Sequence, residues 1–274
     1  MSNVMDIKAV KTPVIKPGDD IVKIFLESLE ECNITLQEQD IIAVGEKIIA
    51  TAQGRIVDLE TITDISDQAT QIGIKYKIDP RKVQVIMGES EEILGGVDTV
   101  LLTRSYGLLL ANAGIDSSNS SDNAMEDTSV ILFPSDLWGT IRKFRADLEE
   151  ASSICPLGSL LIDSRVQPLK VGIIGGALAV SGFQPIEDLR GQKDIFGRPL
   201  LIKQMALADD LSSAAEIMMR EAAEQTPFVV IHDAPVQFCD DAAILEDSML
   251  MPMDQDLFMN VFKNYKKDKV LLQK

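Results

Sequence analysis

Histidine occurs once in this 274-residue chain, cysteine three times, and lysine plus arginine 26 times against 43 aspartates and glutamates. Each shortage excludes something. A single histidine, His232, rules out sites and mechanisms built on several imidazoles. It follows the apolar run "FVVI" at a strand end, where a structural role is expected. Cys32, Cys155 and Cys239 are far apart and show no CxxC spacing, which argues against a disulfide framework or a zinc site. A net charge of −17 repels phosphate backbones, so nucleic acid is not an expected partner. An anionic substrate would have to be gripped locally, by a metal ion or by backbone amides. No apolar run reaches the length of a membrane span. The opening "MSNVMDIKAVK" lacks the apolar core of a signal peptide. The expectation is a cytoplasmic protein with no membrane partner. GxGxxG after a strand, a Walker sequence and GxSxG are all missing, as is any repeat of 20–50 residues.

What is present reads as an ordinary globular chain, 46% hydrophobic and 25% charged. "KPGDDIVKIFLESLEEC" predicts a turn and then a helix capped by Asp19 or Asp20, with Ile21, Ile24, Phe25 and Leu29 on one face. "DIIAVGEKIIATAQGR" begins as a buried strand, and its second half reads equally as strand or helix. "IDPRKVQVIMGES" places Asp79 as cap and Pro80 at the first helical position. "TVLLTRSYGLLLANAG", "SVILFP", "SLLIDSR" and "PFVVIHD" are short and rich in branched residues, as strands are. "SDLWGTIRKFRADLEEAS" aligns Leu137, Ile141, Phe144 and Leu148 on a helical face behind Ser135 or Asp136. "VGIIGGALAVSGF" predicts a strand pair or one bulged strand. "DDLSSAAEIMMREAAEQ" is helical, with Leu211, Ala214, Ala215, Met218, Met219 and Ala222 in phase. Strands and helices do not alternate regularly, so the expected class is α+β, with mixed sheets and surrounding helices. The acidic, methionine-rich chain after Asp233 is expected to pack late or outside the main core.

Asp116 follows "LLLANAGI" and Asp163 follows "SLLI". Each stands where a buried segment gives way to a loop, the place where rigid scaffolds present chemistry. Hydroxyl and amide groups flank both: Ser117, Ser118 and Asn119 in one case, Ser164 in the other. If the segments are neighbours, two carboxylates ~4 Å apart repel by ~4 kcal/mol at an effective dielectric of ~20. A hard divalent cation would relieve that repulsion, and oxygen donors of this kind suit magnesium or manganese. The alternative is that both aspartates only cap turns.

Several blocks carry a family resemblance. "ANAGIDSSN" resembles the NAGID-SN signature of the coenzyme F420-0 γ-glutamyl ligases. "TPVIKPGDD", "IDPRKVQVIMGESEEIL", "LLIDS", "GGALAVSGFQPIEDLRGQKDIFGRPL" and "ADDLSSAAEIMMREA" resemble further blocks of that family in order, from about Lys11 to about Asp233. The resemblance implies a ligase domain over residues 1–235 and an extension, 236–274, that matches nothing in the family. It implies a GTP-dependent enzyme that joins L-glutamate to a deazaflavin coenzyme precursor through an acyl phosphate, with Mg2+ or Mn2+, as a homodimer. By motif position Asp116 and Asp163 would hold one cation, and Ser164 and Glu221 a second. Asn119 would contact the nucleotide, and Pro13, Val14 and Ile15 would border it.

The departures are specific. Thr51 and Gln53 stand where the family has lysine and glutamate. Val166, Gln167, Pro168, Leu169 and Lys170 replace a Gly-Arg-Pro segment and a further arginine. Arg220 replaces a glycine, and Trp138 an aspartate. Lysine and arginine give charge-assisted phosphate contacts that threonine and glutamine do not. A paralogue that binds a coenzyme or nucleotide without turnover, or that uses another acceptor, is the alternative function.

Overall fold

The structure is a computed structural model that describes residues 4–117 and 128–264. In chain order its main elements are β1 (Asp6–Val10), α1 (Ile21–Cys32), β2 (Ile41–Gly45), α2 (Glu46–Ala52), β3 (Ile56–Asp58), α3 (Asp67–Tyr76), α4 (Pro80–Glu89), β4 (Glu92–Val97), β5 (Val100–Ser105), β6 (Leu108–Ala111), β7 (Ser129–Ile131), α5 (Leu137–Ser152), β8 (Gly158–Val166), β9 (Ile173–Phe183), β10 (Glu187–Asp188), β11 (Gln204–Met205), α6 (Leu207–Met219), β12 (Phe228–His232), β13 (Phe238–Cys239), α7 (Ala242–Met249) and α8 (Leu257–Asn264). Mixed sheets with helices around them make an α+β fold, as the irregular succession predicts.

A six-stranded sheet in the order β1-β12-β2-β8-β9-β13 forms the centre. All its pairings are antiparallel except β2 with β8. Its strands carry apolar side chains on both faces. Ile42, Val44, Leu161 and Val230 point into a cluster with Phe25 of α1 and Ile141, Phe144 and Leu148 of α5. Ile41, Ala43, Leu160, Ile162 and Ile231 point the other way, against Leu211 and Ala215 of α6. A third cluster under β4–β6 and α4 holds Val83, Ile86, Leu101, Ala113 and Ile115. A strand buried on both faces reads as an unbroken apolar run, which is why "FVVI" and "SLLI" are recognisable in the sequence.

Local chemistry sets the helix starts. Asp20, Asp79 and Asp136 each accept a backbone N–H of the first turn, settling two choices between neighbouring residues. Pro80 occupies the first helical position of α4. "GEKIIATAQ" is helix from Glu46 onward. "IIGGALAVSGF" is one strand, whose register against β8 shifts by a residue between Leu161 and Ile162, the bulged form of the two alternatives. α6 ends at Met219, so Ala222, expected on its apolar face, lies outside the helix. Part of the chain after Asp233 joins the core rather than staying outside it. β13 pairs with β9, and Leu245 of α7 is buried in the α6-side cluster. His232 Nδ1 lies 2.7 Å from Asp40 Oδ1, both groups buried. That places the histidine in a structural contact at the start of β2, the far end from Gly45.

Candidate active site

Parallel pairing of β2 and β8 sets Gly45 opposite Ile162. The next residues, Glu46 and Asp163, are therefore neighbours: Glu46 leaves the sheet as α2 begins, whereas Asp163, expected at a strand end, stays inside β8, which runs on to Val166 against β9. Glu46 is the first residue of α2 and is buried. Beside it, the turn Asn112–Gly114 delivers Asp116. Asn112, Ala113 and Gly114 all have positive φ (50°, 59° and 76°). Asn112 Oδ1 accepts from Leu101 N at 2.8 Å, and Ala113 N donates to Thr103 Oγ1 at 2.9 Å. At Gly114 any Cβ would stand 2.3 Å from the Phe133 ring, so glycine is required there on steric grounds as well as conformational ones. Asp116 then bridges Ile131 in both directions, N to O at 3.1 Å and O from N at 2.8 Å. The "NAGID" motif is thus a rigid turn that aims one aspartate.

From the other face comes α6. Its backbone lies close enough to β9 that a Cβ on Gly175 would meet Ser212 O at 2.3 Å and Glu216 Cβ at 3.0 Å. Asp163 pairs with Gly176 and Ser164 with Gly175. By the two-residue alternation of a strand, Ser164 shares the α6 side with Ile162. Glu216 and Glu221, which hydrogen-bond each other, lie on this side.

The electrostatics tie these groups together. Burial pushes the Asp163 carboxyl up to about 7, with Asp116 and Glu221 raising it further and Lys47 opposing. Burial also raises Glu46 well above the carboxylate range, with Asp163 the next cause. Glu216 is pushed up to about 8, by burial first, then by Glu221 and Asp163. Its Oε1 is buried without a partner. Lys47 forms an ion pair with Asp116. Burial works against the Lys47 ammonium, but Asp116, Glu46 and Asp163 hold its pKa above the ordinary value. Five carboxyl groups and one ammonium thus share a partly dry site, with Asp163 felt by all the others that titrate abnormally.

The expected residues divide as follows. Asp116 and Glu221 act electrostatically on Asp163, and Ser164 follows it in β8. Asn119 lies outside the described residues. Pro13, Val14 and Ile15 follow β1 in an extended segment, and the neighbouring Thr12 N donates to Gln225 O at 2.9 Å, which lays this segment beside the loop that carries Glu221. Thr51 is on α2. Gln53 Nε2 donates to Thr140 Oγ1 at 3.3 Å. Gln167 to Lys170 form the tip of the β8–β9 hairpin, with Gln167 half-buried and Pro168, Leu169 and Lys170 exposed. Sequence reasoning missed Glu46, Lys47 and Glu216. For Glu46 and Lys47 the available signal was a charged pair directly after an apolar strand. For Glu216 it was an acid in phase with the buried Ser212.

Arg220 ends α6 at φ 65°, ψ −178°, a region that is essentially glycine territory and costs of order 1–3 kcal/mol for other residues. Arg220→Gly is expected to stabilise the protein by about 1 kcal/mol, after allowing for glycine's larger unfolded-state freedom. A thermal melt should rise by about 2–4 °C. An unchanged or lower melting temperature would show that the guanidinium has contacts that outweigh the strain.

Among the described residues the donors at this site are oxygens, which suits a hard cation in kind. Among the described residues, no three carboxylate, thiol or imidazole side chains stand close enough to hold an ion as placed. The fit is therefore one of donor chemistry, carried by the desolvated carboxylates and the orphaned Glu216 oxygen.

An α+β scaffold that gathers acids and a lysine beside the carboxyl end of a parallel strand defines an oxygen-donor site suited in kind to a hard cation. The particular family follows from comparison. The family described as F420-0:Gamma-glutamyl ligase matches residues 9–233, and the chain belongs to it. Among its relatives, a "Coenzyme F420:L-glutamate ligase" of Methanothermobacter thermautotrophicus is 35% identical over 224 residues, covering 81% of this chain and 86% of that one. The proteins of the same description from Methanopyrus kandleri and Methanocaldococcus jannaschii are 34% and 29% identical. They cover 79% and 93% of this chain and 81% and 97% of their own. The family makes this an enzyme that forms amide bonds. No helix among the described residues is long and apolar enough to cross a membrane.

Proposed function

We propose that the protein uses GTP and Mg2+ or Mn2+ to join L-glutamate to a deazaflavin coenzyme precursor through a γ-glutamyl amide bond. The electrostatic coupling of Asp163 with Asp116 and Glu221, with Ser164 next in β8, in a chain of this family, supports the proposal. The acceptor's carboxylate oxygen would attack the terminal phosphorus of GTP, with GDP leaving and an acyl phosphate forming. The amino nitrogen of glutamate would then attack the acyl carbon, release phosphate and lose a proton. Asp116 and Asp163 would hold one cation and Ser164 and Glu221 the other. Bound there, the cations would neutralise charge on the transferred phosphoryl group. Lys47 would turn from Asp116 toward phosphate oxygens when the cation takes its place. Asn119 would contact the nucleotide, and Pro13, Val14 and Ile15 would border it. The cations, not the carboxyls of Glu46 and Glu216 beside them, would give an acidic protein a local way to accept a triphosphate.

We place the protein in the cytoplasm and treat 236–274 as an extension of the 1–235 ligase domain. The β8–β9 tip leaves Leu169 and Val171 fully exposed, and Ile195, Phe196, Leu201 and Ile202 are exposed nearby in sequence. Apolar exposure on this scale favours a covered face in solution, which supports a homodimer.

Incubation with GTP, Mn2+, labelled glutamate and the coenzyme precursor tests the activity. Addition of one glutamate mass per acceptor, dependent on nucleotide, is the expected result. Thr51 and Gln167 favour the alternative of an altered paralogue. Nucleotide-independent coenzyme binding without mass addition would establish that alternative and remove the ligase reading.

A further inference from the structure

The turn that aims Asp116 is fixed up to that residue by backbone and by Asn112 and Thr103, as described above. One residue later a side chain takes over. Lys82 Nζ, in the first turn of α4, donates to Ser117 Oγ at 2.6 Å. α4 is anchored in the third cluster through Val83 and Ile86, and its start is fixed by Asp79 and Pro80. Lys82 therefore projects from a rigid support. The contact spans 35 positions in sequence and is partly buried, so it is a tertiary tether rather than a local turn bond. An ammonium-to-hydroxyl bond is charge-assisted and stronger than a neutral one. On the other flank of the same two residues, the Lys47 ammonium is paired with Asp116. Asp116–Ser117 thus sits between two lysines, one on each neighbouring helix.

We propose that Lys82 is a positioning residue of the ligase site: by holding Ser117 it sets the direction in which the chain leaves Asp116, and so the aim of the Asp116 carboxylate. This rests on the reading of Asp116 as a working group of the site. The role belongs to the charge and reach of the side chain, since a shorter or apolar group would leave Ser117 Oγ without this donor. Arginine has the same charge and comparable length, and serves as the conservative control.

The test compares wild type with Lys82→Met, Lys82→Arg and Ser117→Ala, each first shown to melt cooperatively. Hydrogen exchange of the peptide covering residues 112–117, without metal or nucleotide, reads the tether directly. Lys82→Met should speed it about tenfold, and Lys82→Arg should leave it near wild type. In the ligase assay Lys82→Met should lower kcat about tenfold with a smaller change in KM for glutamate, and Lys82→Arg should restore most of it. The double variant Lys82→Met with Ser117→Ala should be no worse than the poorer single one, because both changes remove the same contact. Unchanged exchange in Lys82→Met overturns the proposal. So do additive losses in the double variant, which would mean that Lys82 acts on substrate without Ser117. If wild type shows no ligase activity, the ligase reading fails while the exchange comparison still decides the tether.

Discussion

Asp163→Asn is expected to lower turnover by about 10^3-fold while leaving a folded, more pH-tolerant protein. Asp163 is the shared neighbour of Glu46, Lys47, Asp116, Glu216 and Glu221. Loss of its charge would remove the proposed bridge between the two halves of the site. Removing a preorganised charge of this kind typically costs about 10^2–10^3 in rate, and a lost cation would add to that. The same substitution has an opposite effect on metal-free stability. In the folded state Asp163 titrates at about 7 and Glu216 at about 8, both raised first by burial, whereas an unfolded carboxyl titrates near ~4. Between those values the native state binds more protons than the unfolded one, so stability is greatest below pH ~4–5 for these groups and falls as pH rises toward 8. Melting without metal should therefore decline from pH 5 to pH 8 by about 5 °C or more on account of the cluster, given ~2–4 °C per kcal/mol. Asp163→Asn should flatten that slope. Wild-type turnover in the variant, or an unaltered slope, would remove Asp163 from the centre of the site.

GTP and Mn2+ together are expected to raise the melting temperature by about 5–10 °C, and neither alone by as much. Buried carboxylates with raised pKa values accept a triphosphate only when a cation offsets the charge, and the cation needs phosphate oxygens to complete its shell. At ligand about 100 times its dissociation constant the linkage is ~2.7 kcal/mol, which gives the shift at ~2–4 °C per kcal/mol. The experiment is a melt with metal, with nucleotide, with both, and with ATP in place of GTP. Loss of the joint shift in Asp116→Asn would tie it to this site. Equal shifts from GTP without metal would mean that Lys47 and other basic groups carry the nucleotide, and the cation has no part in binding it.

The sequence by itself determined the elements whose causes are local. Apolar runs bounded by turn residues marked the strands. Asp20, Asp79 and Asp136 cap helices because a short side-chain oxygen reaches the N–H of the next turn. The face of Leu137, Ile141, Phe144 and Leu148 is buried as its spacing dictates. Asp116 and Asp163 were legible as acids where buried segments end, and the low histidine and cysteine content already pointed to oxygen chemistry. The tertiary structure decided the rest. Whether "GEKIIATAQ" was strand or helix depended on packing against β8, which a window of sequence does not contain. Convergence of Glu46 with Asp163 follows from a parallel pairing between residues more than a hundred positions apart, and no periodicity records such a pairing. Glu216 reaches the site because Gly175 lets α6 approach, and its spacing alone makes it another helix-surface acid. Burial, which raises these carboxyls and gives the cluster its chemistry, is a property of the assembled neighbours. That is the physical reason the acids could be named from the sequence while their shared site could not.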